Sequence, residues 1–372
     1  MEAAGTVPRF AVRAPEVRAL AEHDGDIASV YLTTRGDIEN ASQLAQQRWR
    51  ALRESLAEQG APSTVLERID PLVPDAHTRG ACLAAFADAH SVVHVEHGSD
   101  EQAGDVATWS ALPLLAPLVK WRQASPPYVL VVADRVGADI TVVGRRGSDE
   151  LSVDGDDFPV RKVDGGGWSQ RRFQQRAENT WDANAREVAD RVRTASDAVN
   201  AELIVVAGDV RARQLLEQHL PDRLVQHIEE VPGGRGRDGS ADDIEAATQR
   251  WVAAAAARAT VELLEQFREE RGQRDRASDG VEATIAALNA AQVGVLLLHD
   301  DARDDRRAWF GSDATPVGTN PERLRDLGVA FPRAGRLADV ALRAALGTGA
   351  GVWIVPRAGG PTEGVGAVLR WA

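Results

Sequence analysis

The sequence predicts a mixed α/β protein of three domains, on three observations. The chain has 372 residues, enough for two or three domains of roughly 150 residues each. Hydrophobic residues make up 44% and charged residues 27%, the balance of a soluble globular chain rather than a disordered one. Short β-rich runs alternate with stretches of helical spacing, and Ser125-Pro126-Pro127 breaks the pattern. The expected division is an N-terminal α+β part over 1–125, a central domain with a β-sheet, long helices and a glycine loop over 126–275, and a small α/β domain with a mainly parallel sheet over 276–372.

In the first segment, 27–33 (IASVYLT) reads as a strand, and 38–58 as a helix carrying Leu44, Trp49, Leu52 and Leu56. Helical stretches are predicted over 64–73 and 75–89, then short strands over 92–96 and 106–110. Pro113 and Pro117 interrupt 112–119. The second segment opens with 128–133 (YVLVVA), a near-continuous β run. Gly137 and 139–143 complete a hairpin, and 150–153 adds a third strand. After Gly165, Gly166 and Gly167 comes a long helical pattern, with Phe173, Ala177, Trp181, Ala185, Val188, Val192, Ala195 and Val199 on one stripe and Ser169 able to cap its start. A buried strand over 203–207, a helix over 209–219, a loop over 233–240 and a second long helix over 242–271 follow. In the third segment Ser278 can cap a helix over 280–291. The run 293–298 (VGVLLL) reads as a strand buried on both faces, 321–327 and 335–346 as helices, and 351–355 and 365–369 as strands.

Charge and cysteine usage narrow the function. The net charge of −13 opposes indiscriminate nucleic-acid binding, so any such contact needs a local basic patch. Lys120 and Lys162 are the only lysines, so such a patch is built almost entirely of guanidinium groups. Cys82 is alone, no apolar run is long enough to span a bilayer and no signal peptide is apparent, which together predict a cytoplasmic protein without membrane contact. Cys82 reads as a buried structural residue on an alanine-rich helical stretch. His90, His94 and His97 have metal-like steps only if helical. On a strand His94 and His97 face opposite ways, so no metal site is predicted. His299, Asp300 and Asp301 follow a buried strand, where α/β sheets often bind ligands, but 300–307 (DDARDDRR) reads equally as a self-paired surface loop. No phosphate-binding loop, zinc-hydrolase helix or serine-nucleophile elbow is present, and no cofactor is expected.

The strongest local signal is 161–176, RKVDGGGWSQRRFQQR. Its five cations stand against Asp164 alone, a net +4 within an acidic chain. Three glycines permit backbone conformations that other residues resist, allowing close approach to a ligand backbone. A helix start beyond them offers unpaired N–H groups and a positive dipole end. Arg172 and Arg176 lie four apart, at the spacing that shares a helix face, and the Trp168 indole can stack on a base. These features describe a basic, aromatic-tipped probe for RNA.

The order of the middle segment resembles the central domain of the archaeal and eukaryotic class I release factors and their relative Pelota. It has a hairpin in YVLVVADRVGADITVVGRR, a glycine loop, a long helix and then AELIVVAGDVRARQLL. In those factors the loop carries Gly-Gly-Gln followed by Ser and an Arg-Phe pair; the aligned residues here are Gly166, Gly167, Trp168, Ser169, Arg172 and Phe173. From DGVEATIAALNAAQVGVLLLHDD onward the chain resembles the family's C-terminal domain, which recruits a partner GTPase, so the resemblance covers roughly 128–372. It implies a bacterial branch of the superfamily, which includes ribosome hibernation factors. It further implies a non-catalytic factor that enters the A site of the 70S ribosome, with the middle domain reaching toward the peptidyl-transferase centre. Gly165, Gly166, Gly167, Trp168, Ser169, Gln170, Arg171, Arg172 and Arg176 would contact rRNA, Phe173 would pack the helix base, and a GTPase of the EF-Tu type would be the partner. The biology implied is hibernation or rescue under stress. The departure at Trp168 sets the mechanism: an indole where the release factors place glutamine crowds the water and the ester, so peptide release is not expected.

Two other classes remain open on the sequence. A hydrolase or nuclease acting on tRNA or peptidyl-tRNA would need a general base near the loop, for which Asp164 and Gln170 are the local candidates. A stress-linked protein-interaction scaffold would be indifferent to charge reversal at Arg171, Arg172 and Arg176.

Overall fold

The computed structural model describes residues 15–35, 40–74, 76–78, 81–98, 104–144, 147–154, 168–235, 240–273, 275–301 and 303–371. The chain divides into two compact units. Unit 2 is the continuous stretch 124–258, and unit 1 is assembled from 1–123 together with 259–372.

The first third contributes α1 (Pro15–Ala21), β1 (Ile27–Thr33), α2 (Ala41–Glu58), α3 (Ser63–Ile69), β2 (Cys82–Ala87), β3 (Val92–Gly98), β4 (Val106–Ser110) and α4 (Ala116–Ala124). Its sheet has the order β3-β2-β1-β4, with every pairing antiparallel. The helix predicted over 75–89 is corrected to strand β2, whose six residues CLAAFA are all buried. Alanine favours helices, but this run lies between β1 and β3 with both faces covered, and burial overrides propensity. Cys82 is accordingly buried on a strand rather than on a helix. Helix α3 stops at Ile69 because Pro71 follows in a 3₁₀ turn, Asp70–Leu72. Strand alternation is visible in the cores: Ile27 and Tyr31 face one side with Phe86, while Ala28, Val30 and Leu32 face Trp49, Leu56 and Val65 on the other.

The middle contributes β5 (Tyr128–Ala133), β6 (Gly137–Gly144), β7 (Gly147–Asp154), α5 (Trp168–Val199), β8 (Leu203–Gly208), α6 (Val210–His219), α7 (Asp222–Val225), β9 (Ile228–Glu230) and α8 (Ser240–Gln273). The five-stranded sheet runs β7-β6-β5-β8-β9. The β5–β6–β7 meander is antiparallel, and β5–β8 and β8–β9 are parallel across the α5 and α6 crossovers. Val129 and Val131 face α5 through Val188 and Val192; Tyr128 and Leu130 face Ile244 and Val252 at the start of α8. Because both faces of β5 and β8 are covered, these strands are apolar throughout rather than alternating.

The last third contributes β10 (Ala277–Asp279), α9 (Val281–Asn289), β11 (Val293–Leu298), β12 (Arg307–Phe310), β13 (Val317–Gly318), α10 (Pro321–Asp326), β14 (Arg333–Arg336), α11 (Leu337–Gly347), β15 (Gly351–Ile354) and β16 (Val365–Leu369). The predicted mainly parallel sheet is corrected to a mixed one. In the order β10-β16-β11-β15 only β11–β15 is parallel, because β16 returns antiparallel between β10 and β11. Ser278, read as a helix cap, lies in β10, and its hydroxyl is 3.2 Å from the Thr284 hydroxyl; Gly280, at φ +89°, makes the turn into α9. The helix predicted over 335–346 starts at Leu337, since Arg333–Arg336 pairs with β12 in a second small sheet. Helix α11 is buried along nearly its whole length. One core unites it with Val17 and Leu20 of α1, Tyr31 and Phe86 of the first sheet, and Leu296 and Leu298 of β11.

Candidate functional site

The candidate site lies at the head of α5. Gly165, Gly166 and Gly167 lie outside the described residues, as does Asp164. Trp168 is the first residue of α5, and Ser169, Gln170, Arg171, Arg172 and Arg176 follow within its first turns, where the description is of the helical backbone. Ser169, read as the cap, therefore falls inside the helix by one residue. The register sets Trp168, Arg172 and Arg176 at successive intervals of four on a 32-residue helix, roughly 48 Å long. The first turn of such a helix carries unsatisfied N–H groups and the positive end of its dipole, which favour an anionic ligand.

Further along, α5 is anchored by its own apolar stripe. Ala185, Val188, Ala189, Val192 and Ala195 are buried against β5, β6, β8 and α6. A polar clamp adds orientation. The Arg135 guanidinium, from the β5–β6 turn, lies 4.7 Å from the Trp181 ring centroid. It also donates to both carboxylate oxygens of Asp209, at 3.3 and 3.2 Å. Asp209 in turn caps α6 by accepting from the N–H groups of Arg211 and Ala212. Burial would raise the Asp209 carboxyl, but Arg135 and these N–H groups outweigh it and hold the group below the usual carboxylate range. The Asn184 amide donates to the Arg135 carbonyl at 3.1 Å, and His219 Nε2 lies 2.8 Å from Asp182, tying α6 to α5. Gly208 allows the close approach at this corner: at φ +125°, a Cβ there would lie 1.8 Å from the Ala133 carbonyl oxygen.

A second fastening holds the segment after β9. Arg235 donates to Asp139 at 2.9 and 3.0 Å and to Asp154 at 3.0 Å, with Asp134 at 3.5 Å. Its hydrogen bonds keep Asp139 below the usual carboxylate range and Arg235 protonated at every pH of interest. Neither fastening was legible in the sequence. Their members are scattered through the chain, Arg135 and Asp209 being 74 positions apart and Arg235 and Asp139 96.

Other residues singled out by sequence fall elsewhere. His94 sits on β3 beside Glu96, at 3.1 Å, and among the described residues no group of three or more His, Cys, Asp or Glu is placed to hold a metal ion. His299 Nδ1 is 3.1 Å from the Val355 carbonyl oxygen. In the segment after β11, Asp304 pairs with Arg306 inside the loop, as expected, whereas Asp300 pairs outside it with Arg336 of β14. Trp49 and Trp353 are core residues, the latter donating its indole N–H to Thr260 at 3.1 Å. Among the described residues no helix is long and apolar enough to cross a membrane.

Residues 127–273 match bacterial archaeo-eukaryotic release factor family 2. Over 370 residues, 97% of each chain, the sequence is 28% identical to an uncharacterized protein of Mycobacterium tuberculosis, found in two strains. Among solved structures, the archaeal translation termination factor aRF1 is 15% identical, with 98% of this chain and 100% of that one covered at a TM-score of 0.26. Archaeoglobus fulgidus Pelota is 13% identical, with 96% and 90% covered at a TM-score of 0.34.

Proposed function

We propose, proceeding from the match of residues 127–273 to bacterial archaeo-eukaryotic release factor family 2, that the chain is a non-catalytic ribosome-binding factor. The observation that carries this reading is a single one. Within the family-matched stretch, Gly166-Gly167-Trp168 stands where release factors carry Gly-Gly-Gln, and it leads directly into the 32-residue α5 with Arg171, Arg172 and Arg176 in its first turns. The factor occupies the A site of idle or stalled 70S ribosomes under stress. Gly165, Gly166, Gly167, Trp168, Ser169 and Gln170 approach the peptidyl-transferase centre, and the three arginines neutralise rRNA phosphates. The anchored lower part of α5 holds this prong at a fixed angle to its own sheet. Trp168 fills the space in which a hydrolytic water would be positioned, so occupancy blocks the centre without releasing peptide. A translational GTPase of the EF-Tu type delivers the factor through the region 277–372. The acidic remainder of the chain limits binding elsewhere on RNA.

Co-sedimentation with purified 70S ribosomes at physiological salt tests this reading. The wild type pellets with ribosomes, and a variant carrying Arg171→Glu, Arg172→Glu and Arg176→Glu binds about tenfold or more weakly. Absence of wild-type binding, with or without EF-Tu, overturns it.

A further inference from the structure

Asp339 lies in the first turn of α11, inside the core of unit 1, with 7% of its surface exposed. A carboxylate in such a place needs a partner, since an unpaired buried charge is among the costliest features a core can contain. Yet its Oδ1 atom makes no hydrogen bond among the described residues. The nearest cation, Arg336 at the head of the same helix, has its Nη1 3.8 Å from Asp339 Oδ2, outside hydrogen-bond reach. That guanidinium is engaged elsewhere: Nη2 donates to Asp300 Oδ1 at 3.2 Å and approaches the Asp301 carbonyl oxygen at 3.5 Å.

We propose that Asp339, Arg336 and Asp300 form a proton-operated latch at the carboxyl end of β11. With Asp339 neutral, Arg336 holds the turn that begins at Asp300. With Asp339 ionised, the guanidinium moves onto the buried carboxylate and lets that turn go. The required movement is short, less than about 1 Å to reach hydrogen-bond distance from 3.8 Å. The direction follows from exposure. The Asp300 carboxylate, one-fifth exposed, can be hydrated when Arg336 leaves, whereas Asp339, 7% exposed, is nearly closed to solvent.

The groups around Asp339 set where the latch turns over. Burial pushes its carboxyl up to about 7; Arg336 opposes this and Asp300 reinforces it. The fields of Asp339, Asp300 and Glu96, from α11, the turn after β11 and β3, all reach Tyr31 on β1. Tyr31 itself stays neutral, its buried phenol raised well above the ordinary value. Its hydroxyl donates to the Leu114 carbonyl oxygen at 2.7 Å and accepts from the Leu118 N–H at 3.2 Å, so it offers nothing to Asp339. Arg343, one turn further along α11, gives its terminal nitrogens to the Asp313 and Ser312 carbonyl oxygens and lies over the Phe310 ring; its buried Nε makes no hydrogen bond among the described residues, but its charge is not among those that shift Asp339. Among the described residues Arg336 is therefore the cation that can answer ionisation of Asp339, and the turn after β11 is what its departure frees. This inference concerns unit 1 alone and stands independently of ribosome binding.

Hydrogen exchange of the Arg303 and Asp304 amides, which donate to the Asp301 side chain and carbonyl oxygen, corrected for the intrinsic pH dependence of exchange and measured on the full chain from pH 6 to pH 8, tests the latch. In the wild type, protection falls severalfold with a midpoint near 7. Asp339→Asn keeps the turn protected across the range, because Arg336 is never drawn away. Arg336→Gln leaves it weakly protected across the range, and serves alone should Asp339→Asn fail to fold. Infrared titration supplies an independent readout: a buried protonated-carboxyl band disappears over the same pH interval and is missing in Asp339→Asn. A wild-type turn whose protection is constant from pH 6 to pH 8, or an Arg336→Gln variant that retains the wild-type pH dependence, overturns the proposal.

Discussion

Replacing Arg122 by Ala removes the counter-charge of Glu96 from the interior of unit 1. Arg122 lies in α4 with 5% of its side chain exposed, and Glu96 in β3 with 13%. The guanidinium Nε lies 3.1 and 3.2 Å from the two Glu96 oxygens, His94 Nε2 adds a contact at 3.1 Å, and Glu16 stands 3.9 Å from Nη1. Burial by itself would raise the Glu96 carboxyl; the hydrogen bonds from His94 and Arg122 outweigh it and hold the group below its ordinary value. Removing one member of a buried pair strands the other, a loss of about 3–5 kcal/mol, whereas replacing both by apolar residues of similar volume is often neutral. The expected result is that Arg122→Ala destabilises unit 1 by that amount, while Arg122→Met combined with Glu96→Leu recovers most of it. The pH dependence has a definite sign. A carboxyl lowered on folding contributes stability above its unfolded pKa, and that contribution is lost as pH falls through the folded one, so the wild type weakens below about pH 4.5 more steeply than Arg122→Ala. Urea unfolding read by hydrogen exchange in β1 to β4 follows unit 1 specifically. A cost below about 1 kcal/mol for Arg122→Ala would refute the reasoning, since the pair would then behave as a solvated surface contact.

Two further outcomes follow from geometry alone. Gly208→Ala places a Cβ 1.8 Å from the Ala133 carbonyl oxygen at φ +125°, so it should cost roughly 3 kcal/mol or more and abolish protection of the β5 and β8 amides. Phe331, 87% exposed, tolerates Phe331→Ser within about 0.5 kcal/mol, whereas Trp353→Ala in the core costs about 3–5 kcal/mol; thermal unfolding of the two variants checks the contrast.

Much of the architecture was legible because the central strands are covered on both faces. YVLVVA at β5 and VGVLLL at β11 are apolar from end to end, which no surface helix can be. Strand β2 escaped for the opposite reason: CLAAFA is just as buried, but its alanines locally favour a helix. Strands β12, β13 and β14 are two to four residues long and contain arginine and glycine, so only their partners define them. At the candidate site, the glycine run, Trp168 and the three arginines are contiguous and therefore readable. The Arg135–Trp181–Asp209 clamp is not, because three separate elements must fold before its members meet.

The way unit 1 is assembled has a consequence for how the protein is made. Its core joins Tyr31 and Phe86 to Leu296, Leu342 and Val365, so the first sheet emerges from synthesis long before the helix and strands that cover it. Strand β16, the last in the chain, is interior to its sheet, filling the place between β10 and β11. Unit 2 meanwhile is continuous and complete in sequence by residue 258, so it can close while the first sheet still waits with one face bare. Premature termination between residue 258 and β16 thus leaves a molecule whose middle is finished and whose first sheet lacks the elements that cover it, a species with exposed strand edges and a strong tendency to aggregate.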